Sequence, residues 1–192
     1  MYYYILPFLV YILTISVNNN TYLLILRVAV LSSLLFVFRK FYKFRLKLEL
    51  LPIFIGFIIF FLWVMLEGLY PILGKTYYLP QNTISLIFRT FSFIVIAPAI
   101  EEYFTRSLLA RILINKNWKK VALGKFTLFS FTLTTLFFGF SHNRWLPGLI
   151  AGALLNYVIY KKKNMGSVFV AHSTANLLLA AYIIYTKSWF FW

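Results

Sequence analysis

The chain contains no cysteine and no aspartate, and its 192 residues include only four acidic side chains and two histidines. The absence of cysteine excludes disulfide bonds, thiolate metal sites and a cysteine nucleophile. Because acid and imidazole groups are so few, any acid–base chemistry must come from a small set of positions. Those positions are Glu49, Glu67, Glu101, Glu102, His142 and His172.

Apolar residues are in large excess, at 62% of the chain with a mean hydropathy of +0.83. Soluble domains are usually about 45–50% apolar. The sequence therefore predicts an all-α, polytopic membrane helix bundle of about seven transmembrane helices, or eight if one is divided. The expected helices are at 2–17, 21–38, 50–69, 83–114, 126–145, 146–160 and 166–186.

The net charge of +15 is unevenly distributed along the chain. Thirteen of the 19 basic residues fall in loops on one expected side: Arg39, Lys40, Lys43, Arg45, Lys47, Arg111, Lys116, Lys119, Lys120, Lys125, Lys161, Lys162 and Lys163. By the positive-inside rule these loops face the cytoplasm, with a cytoplasmic N-terminus and an outer C-terminus. We expect a bacterial inner-membrane location and contact with lipid headgroups, and we do not expect nucleic-acid binding.

Three charges lie within the expected helices near their outer ends, namely Arg27, Glu67 and Arg89. A charge at depth in a membrane is costly unless it is paired or reaches the interface. We therefore expect Glu67 to pair with Arg27 or Arg89, or all three to extend outward.

The fourth expected helix is too long for one straight span, and Pro98 lies near its middle. Proline removes a helical hydrogen bond and clashes with the preceding turn. We expect a kink or break there, with a second half starting near Ala99 and both glutamates in its first turn. The alternative is a re-entrant pair of half-helices.

Small residues predict close helix packing further along the chain. Gly148 and Gly152 form a G-x-x-x-G spacing, and Gly139 leaves room for a neighbouring helix. Such spacings let helix backbones approach each other closely in membranes.

The adjacent glutamates predict two different roles. Glu102 and Arg106 are separated by one helical turn and can form an ion pair. Glu101 points about 100° away from Glu102, so it is left for another neighbour. A carboxylate in an apolar site is suited to act as a general base.

Two further segments carry polar groups on apolar helices. Phe138 precedes His142 by one turn and can shield its imidazole from lipid, and His172 precedes Asn176 by one turn. At 1.5 Å per residue, Glu101, His142 and Asn176 are all expected about 18–24 Å from the cytoplasmic helix ends. They can therefore meet in one layer.

The order Glu-Glu-x-x-x-Arg, Phe-x-x-x-His, His-x-x-x-Asn on successive apolar helices resembles the CPBP or Abi family, which includes the type II CAAX prenyl endopeptidases. The three segments are Glu101–Arg106, Phe138–His142 and His172–Asn176. One departure is Ser107, where the family often has glycine. We expect one membrane domain over 1–192, with scaffold helices in 1–80 and a catalytic module at 83–186.

The resemblance implies an intramembrane glutamate-type endopeptidase acting on a membrane-associated or lipid-modified peptide. In that reading Glu101 and His142 activate water, and His172 and Asn176 stabilise the oxyanion. Glu102, Arg106 and Phe138 provide structural support. No cofactor is expected, and the oligomeric state is not predicted.

Four alternatives stay open at this stage. Zinc could be bound by the two histidines and a glutamate, and Ser141 or Ser173 could act as a nucleophile beside a histidine. The chain could also be a non-catalytic membrane scaffold, or an immunity or regulatory protein for an envelope enzyme. A proton relay or transporter would use the same buried groups.

Overall fold

The computed structural model describes residues 1–15, 20–74 and 78–192, which form seven α-helices and no β-strand. The helices are α1 (Tyr2–Leu13), α2 (Thr21–Val37), α3 (Leu50–Met65), α4 (Thr83–Ile112), α5 (Leu128–Phe140), α6 (Trp145–Lys162) and α7 (Met165–Thr186). Short 3₁₀ turns lie at Arg39–Phe41, Trp118–Lys120 and Trp189–Phe191. The all-α prediction is confirmed.

Among the described helices, α4 and α7 are long and apolar enough to cross a membrane, with 30 and 22 residues. Four others, α1, α2, α3 and α5, are apolar but shorter than 18 residues. Two helices thus meet the criteria of length and composition for spanning, and the larger number of spans stays a prediction.

Helix α7 is central, and it packs against α3, α4 and α6. Helices α3 and α7 approach each other closely at Gly56, because a Cβ there would lie 2.6 Å from the Ala171 carbonyl oxygen. This contact immediately precedes His172. The α3–α7 packing therefore fixes the level at which the His172 imidazole enters the interior.

Helices α5 and α6 pack through the glycines singled out in the sequence. A Cβ at Gly148 would lie 3.0 Å from the Gly139 carbonyl oxygen, and one at Gly152 would lie 3.2 Å from the Thr135 carbonyl oxygen. The buried Asn156 amide donates hydrogen bonds to the Thr134 and Thr135 hydroxyls, each at 3.0 Å. The close approach holds the C-terminal end of α5 in place.

A break at Pro98 is wrong, and so is the re-entrant alternative, because α4 runs as one helix over Thr83–Ile112. The kink that was expected instead of a break stays a prediction. Two π-helical segments, Ser92–Ile96 and Tyr103–Leu109, flank the short α-helical turn that contains Pro98. The wider π turn accommodates the proline ring without ending the helix. Both glutamates therefore lie in mid-helix, and not in the first turn of a separate helix.

Helix α5 ends at Phe140, although the sequence predicted a helix to residue 145. The Ser141 hydroxyl donates to the Phe138 carbonyl at 2.9 Å, and the His142 Nδ1 lies 2.7 Å from the same oxygen. Side chains that bond the last carbonyls favour the end of a helix. His142 consequently lies in the turn between α5 and α6.

The expected partner of Glu67 is also wrong. Glu67 forms a bidentate ion pair with Arg144, at 2.7 Å to Nε and 2.8 Å to the second guanidinium nitrogen. Arg144 is buried, and its guanidinium lies 4.7 Å from the Phe191 ring centroid. The pair ties the end of α3 to the α5–α6 turn and the last aromatic residues.

The basic loops gather at the opposite end of the bundle. The Asn164 amide donates to the Arg45 carbonyl at 2.9 Å, which joins the α2–α3 and α6–α7 connections. A surface depression at this end is lined by Lys43, Arg45, Lys47, Lys162 and Lys163, among others. The positive charge is thus concentrated at one end, and the side of the membrane that this end faces stays a prediction.

Candidate active site

The two adjacent glutamates of α4 have different surroundings. Glu102 is fully buried, and its Oε2 accepts a hydrogen bond from Arg106 Nε at 3.1 Å. The i, i+4 pair expected from the sequence is therefore present. Glu101 is only partly buried, and it faces an internal cavity.

Glu102 has a second partner that the sequence did not reveal. Its other oxygen, Oε1, lies 2.9 Å from His172 Nδ1 on α7. A carboxylate already paired with arginine only accepts hydrogen bonds, so His172 carries its proton on Nδ1. The Nε2 atom of His172 is left for the cavity, and the carboxylate stabilises a positive charge on this ring.

His142 is oriented by the backbone. The Phe138 carbonyl, 2.7 Å away, can only accept, so the His142 Nδ1 donates to it. A neutral imidazole with a proton on Nδ1 presents an Nε2 lone pair. The Phe138 ring lies 4.8 Å from the His142 ring and 5.6 Å from the His172 ring, so it packs against both imidazoles.

Asn176 is held by the first π segment of α4. Its side-chain nitrogen donates to the Phe93 carbonyl at 2.7 Å. The π register leaves carbonyl groups out of the regular α-helical pattern, and here one of them accepts from Asn176. An amide nitrogen carries two protons, so one N–H of Asn176 stays available.

A single cavity of about 150 Å³ is lined by all four residues predicted to be catalytic, Glu101, His142, His172 and Asn176. The cavity also reaches Phe138, and Glu102 and Arg106 lie behind it. The structure therefore brings together a partly buried carboxylate, two oriented imidazoles and an amide. Such a set can accept a proton from water and donate hydrogen bonds to a developing oxyanion.

Several other residues line the same cavity that were not predicted to belong to the site. They include Tyr11, Arg27, Trp63, Arg89 and Trp192. Tyr11 lines the cavity together with Glu101, and the Trp63 ring lies 5.5 Å from the His142 ring. The signal for the two arginines was their charge within apolar helices, but it had been assigned to pairing with Glu67.

Metal ligands converge poorly in the part of the chain that the structure describes. No group of three His, Asp or Glu side chains there is close enough to hold a metal ion. Zinc sites in catalytic proteins use three protein ligands. Independence from metal stays a prediction, which a chelator experiment tests.

A comparison with protein-family models matches residues 83–178 to the family described as "Type II CAAX prenyl endopeptidase Rce1-like". The match covers half of the chain, and the chain belongs to this family. Comparisons with curated proteins and with solved structures found no significant match.

The family is one of membrane proteases. Membership in this family agrees with the presence of two helices that are long and apolar enough to span a membrane. The matched segment includes all four candidate catalytic residues, from Glu101 to Asn176.

Proposed function

We propose that this protein is an intramembrane endopeptidase that hydrolyses a peptide bond with a water molecule activated by Glu101 and His142. The observation that carries the proposal is the common cavity of Glu101, His142, His172 and Asn176. In that cavity both imidazoles have their Nδ1 atoms fixed by acceptors. The family's protease activity supports the same reading.

In the first step, Glu101 accepts a proton from water while the water oxygen attacks the scissile carbonyl carbon. The Nε2 lone pair of His142 accepts a hydrogen bond from the same water and holds it near the carboxylate. The proton on Glu101 then passes to the leaving nitrogen, so that amine and carboxylate products form. A positioned acid–base pair of this kind accelerates reactions typically by about 10²–10⁴-fold.

His172 and Asn176 stabilise the oxyanion of the tetrahedral intermediate. The carboxylate of Glu102 supports a protonated His172, whose Nε2–H can then donate to the oxyanion. The second N–H of Asn176 donates to the same oxygen, since the first is bound to the Phe93 carbonyl. Donors of this kind typically contribute about 3–4 kcal/mol each.

The proposed substrate is a membrane-associated or lipid-modified peptide, because Glu101, His172 and Asn176 lie well inside the two helices that are long and apolar enough to span a membrane. Membrane lipids are the expected surroundings, and a bacterial inner membrane with a cytoplasmic N-terminus is the expected location. One membrane domain over 1–192, with its catalytic part at 83–186, is part of the proposal. No cofactor is required by the mechanism.

The test is cleavage of prenylated and unmodified peptides by purified protein in lipid nanodiscs, followed by mass spectrometry. Glu101→Gln keeps the shape of the side chain but removes the base, so we expect cleavage to fall by about 10²–10⁴-fold. Glu49→Gln is the matched control. Glu49 pairs with Lys162 at 3.0 Å at the basic end of the bundle. The Glu49→Gln substitution should therefore leave cleavage unchanged.

Equal activity of the Glu101→Gln variant and the wild type would contradict the mechanism. If the wild type cleaves no peptide and Glu101→Gln has the wild-type phenotype in cells, the non-catalytic scaffold or regulatory reading replaces the proposal. Loss of cleavage on chelation, with recovery on adding zinc, would establish the metal-dependent alternative instead.

A further inference from the structure

The depression at the basic end of the bundle is not used by the proposed mechanism. Its volume is about 660 Å³, and it lies where the α2–α3 linker, the connection before α5 and the α6–α7 turn meet. It shares no described lining residue with the cavity of the candidate active site. We call it the basic depression, after the five basic side chains that line it, Lys43, Arg45, Lys47, Lys162 and Lys163.

Close backbone packing forms the walls of the basic depression. The Arg45 carbonyl lies against Gly166 at the start of α7, where a Cβ would collide with it, and the Asn164 amide donates to the same carbonyl at 2.9 Å. In the connection before α5, Gly124 has a φ of +71°, and a Cβ there would collide with the Ile159 carbonyl oxygen near the end of α6. The three connections are therefore held together by their backbones.

The α2–α3 linker alternates basic and apolar residues. Residues 43–48 read Lys-Phe-Arg-Leu-Lys-Leu, and the backbone is extended at Tyr42 before them and at Glu49 after them. In an extended chain, successive side chains point to opposite sides. The three basic residues line the basic depression, whereas Leu46 and Leu48 do not and are exposed. Basic groups beside exposed apolar side chains are typical of segments at a membrane interface.

The positive charge of the basic depression is compensated only in part. Glu49 pairs with Lys162 at 3.0 Å. The other three acidic side chains of the sequence lie elsewhere, since Glu67 and Glu102 have their own arginine partners and Glu101 faces the cavity. Four cations thus remain for which the described residues supply no carboxylate. The helix dipole favours lysines at the end of α6, but it does not explain the three cations of the linker.

An apolar depression follows directly in the sequence. It has a volume of about 460 Å³ and lies on the first turns of α3, where Leu50 and Phe54 are exposed. All of its described lining residues are apolar. Leu50 is three residues after Lys47, so the two backbone positions are within about 11 Å of each other. A cationic site and an apolar surface therefore lie side by side.

We propose that the basic depression binds the phosphate headgroup of one anionic phospholipid, whose acyl chains extend along the first turns of α3. Lysine and arginine bind phosphate oxygens through charge-assisted hydrogen bonds, and basic pockets at the ends of membrane helices suit lipid headgroups. The sequence predicts contact of the basic loops with headgroups in general, whereas the proposal assigns one lipid to one site. It does not depend on the proposed peptidase function, because the candidate active site is elsewhere.

The test measures lipid binding to the purified protein in detergent by native mass spectrometry, which counts the lipids on each protein molecule. Phosphatidylglycerol and phosphatidylcholine with identical acyl chains are titrated separately. Each basic residue near an anionic lipid surface typically strengthens association about fivefold. We therefore expect one phosphatidylglycerol to bind at least about tenfold more tightly than phosphatidylcholine. Equal affinities, or several equivalent phosphatidylglycerol molecules per protein, overturn the proposal.

A pair of double variants locates the site. Lys47→Gln with Lys163→Gln removes one cation from each of two walls, and glutamine keeps the Cγ that lies beside Gly124. We expect this variant to bind phosphatidylglycerol at least about tenfold more weakly, with phosphatidylcholine binding unchanged. Lys40→Gln with Lys116→Gln makes the same change at two exposed lysines outside the described lining and should keep the full preference. An undiminished preference in the first variant, or an equal loss in both, overturns the site.

Two further arms separate a phospholipid from other anions. Raising ammonium acetate from about 0.1 M to about 0.5 M should weaken phosphatidylglycerol binding more than phosphatidylcholine binding, because exposed charges are screened. Glycerophosphoglycerol has the same headgroup without acyl chains, and it should compete at least about a hundredfold more weakly than the intact lipid. Equally strong competition by this compound, or by a hexaglutamate peptide, would assign the basic depression to a soluble anion and overturn the proposal. A preference that salt does not reduce would also overturn it.

Discussion

At the scale of single residues, the structure gives the adjacent glutamates distinct surroundings. Glu102 has Arg106 on one oxygen and His172 on the other, whereas Glu101 faces the cavity. The sequence predicted the Arg106 pair because i, i+4 positions share a helix face. It could not predict His172, which is 70 positions away, because that contact depends on how α7 is rotated against α4.

Replacement of Glu102 should affect stability as well as activity. Glu102→Gln leaves the buried Arg106 without its carboxylate, and breaking such a pair typically costs about 3–5 kcal/mol. It also removes the negative charge that supports a protonated His172. We expect a marked fall in the thermal midpoint of unfolding in detergent, together with loss of cleavage.

The matched comparison is Glu101→Gln, which has the same chemical change one residue away. Because none of the ion pairs formed by the described residues includes Glu101, that variant should unfold close to the wild-type temperature while losing cleavage. Equal thermal midpoints for the two variants would show that Glu102 does not have the role assigned to it.

The turn after α5 allows the serine-nucleophile alternative to be tested. Ser141 Oγ lies 3.4 Å from His142 Nδ1, but its hydroxyl donates to the Phe138 carbonyl, and Nδ1 does the same. Nδ1 therefore cannot accept the serine proton. We expect Ser141→Ala to keep peptide cleavage within about twofold and His142→Ala to lower it by about 10²–10⁴-fold, measured as initial rates. Loss of activity in Ser141→Ala at normal folding would revive the serine mechanism.

At the scale of helices, the order of the seven α-helices in the described residues followed from the apolar pattern, and their ends were less predictable. Helix α4 continues past Pro98 because the flanking π-helical segments accommodate the proline ring. No local sequence pattern predicts such a π-helical segment. Helix α5 stops at Phe140 because two side chains compete for the Phe138 carbonyl. Both differences concern the positions of candidate catalytic groups, where tertiary contacts override local preference.

Helix packing near the site predicts a graded response to added methyl groups. At Gly56 a Cβ would be 2.6 Å from the Ala171 backbone oxygen, whereas at Gly148 the nearest atom, the Gly139 oxygen, is 3.0 Å away. Since overpacking typically costs about 1–3 kcal/mol, Gly56→Ala should be clearly destabilising and should lower cleavage by displacing α7. Gly148→Ala should be milder.

Thermal unfolding in detergent and cleavage rates of the two glycine variants provide the measurement. We expect Gly56→Ala to have both a lower melting temperature and a lower cleavage rate than Gly148→Ala. A wild-type melting temperature for Gly56→Ala would mean that α3 and α7 are further apart than the structure has them.

At the scale of the whole molecule, pairing between distant charges was the least predictable feature. Arg27, Glu67 and Arg89 were rightly placed near one end of the bundle, but Arg144 lies at that end too and forms the pair with Glu67. The charge and the expected depth of the side chains do not determine which of the three arginines pairs with Glu67. Arg27 and Arg89 line the cavity together with Glu101.

Orientation in the membrane is the remaining property of the whole molecule, and the absence of cysteine makes it directly measurable. Single cysteines can be introduced at Lys43 and Lys163, which line one surface depression at the basic end, and at Gly68 beyond α3 at the other end. Because cytoplasmic loops are rich in lysine and arginine, a membrane-impermeant maleimide applied to intact bacterial spheroplasts should label the cysteine at 68. The cysteines at 43 and 163 should react only after the membrane is opened. The reverse pattern would place the basic end outside, and labelling of all three sites in intact spheroplasts would contradict a spanning bundle.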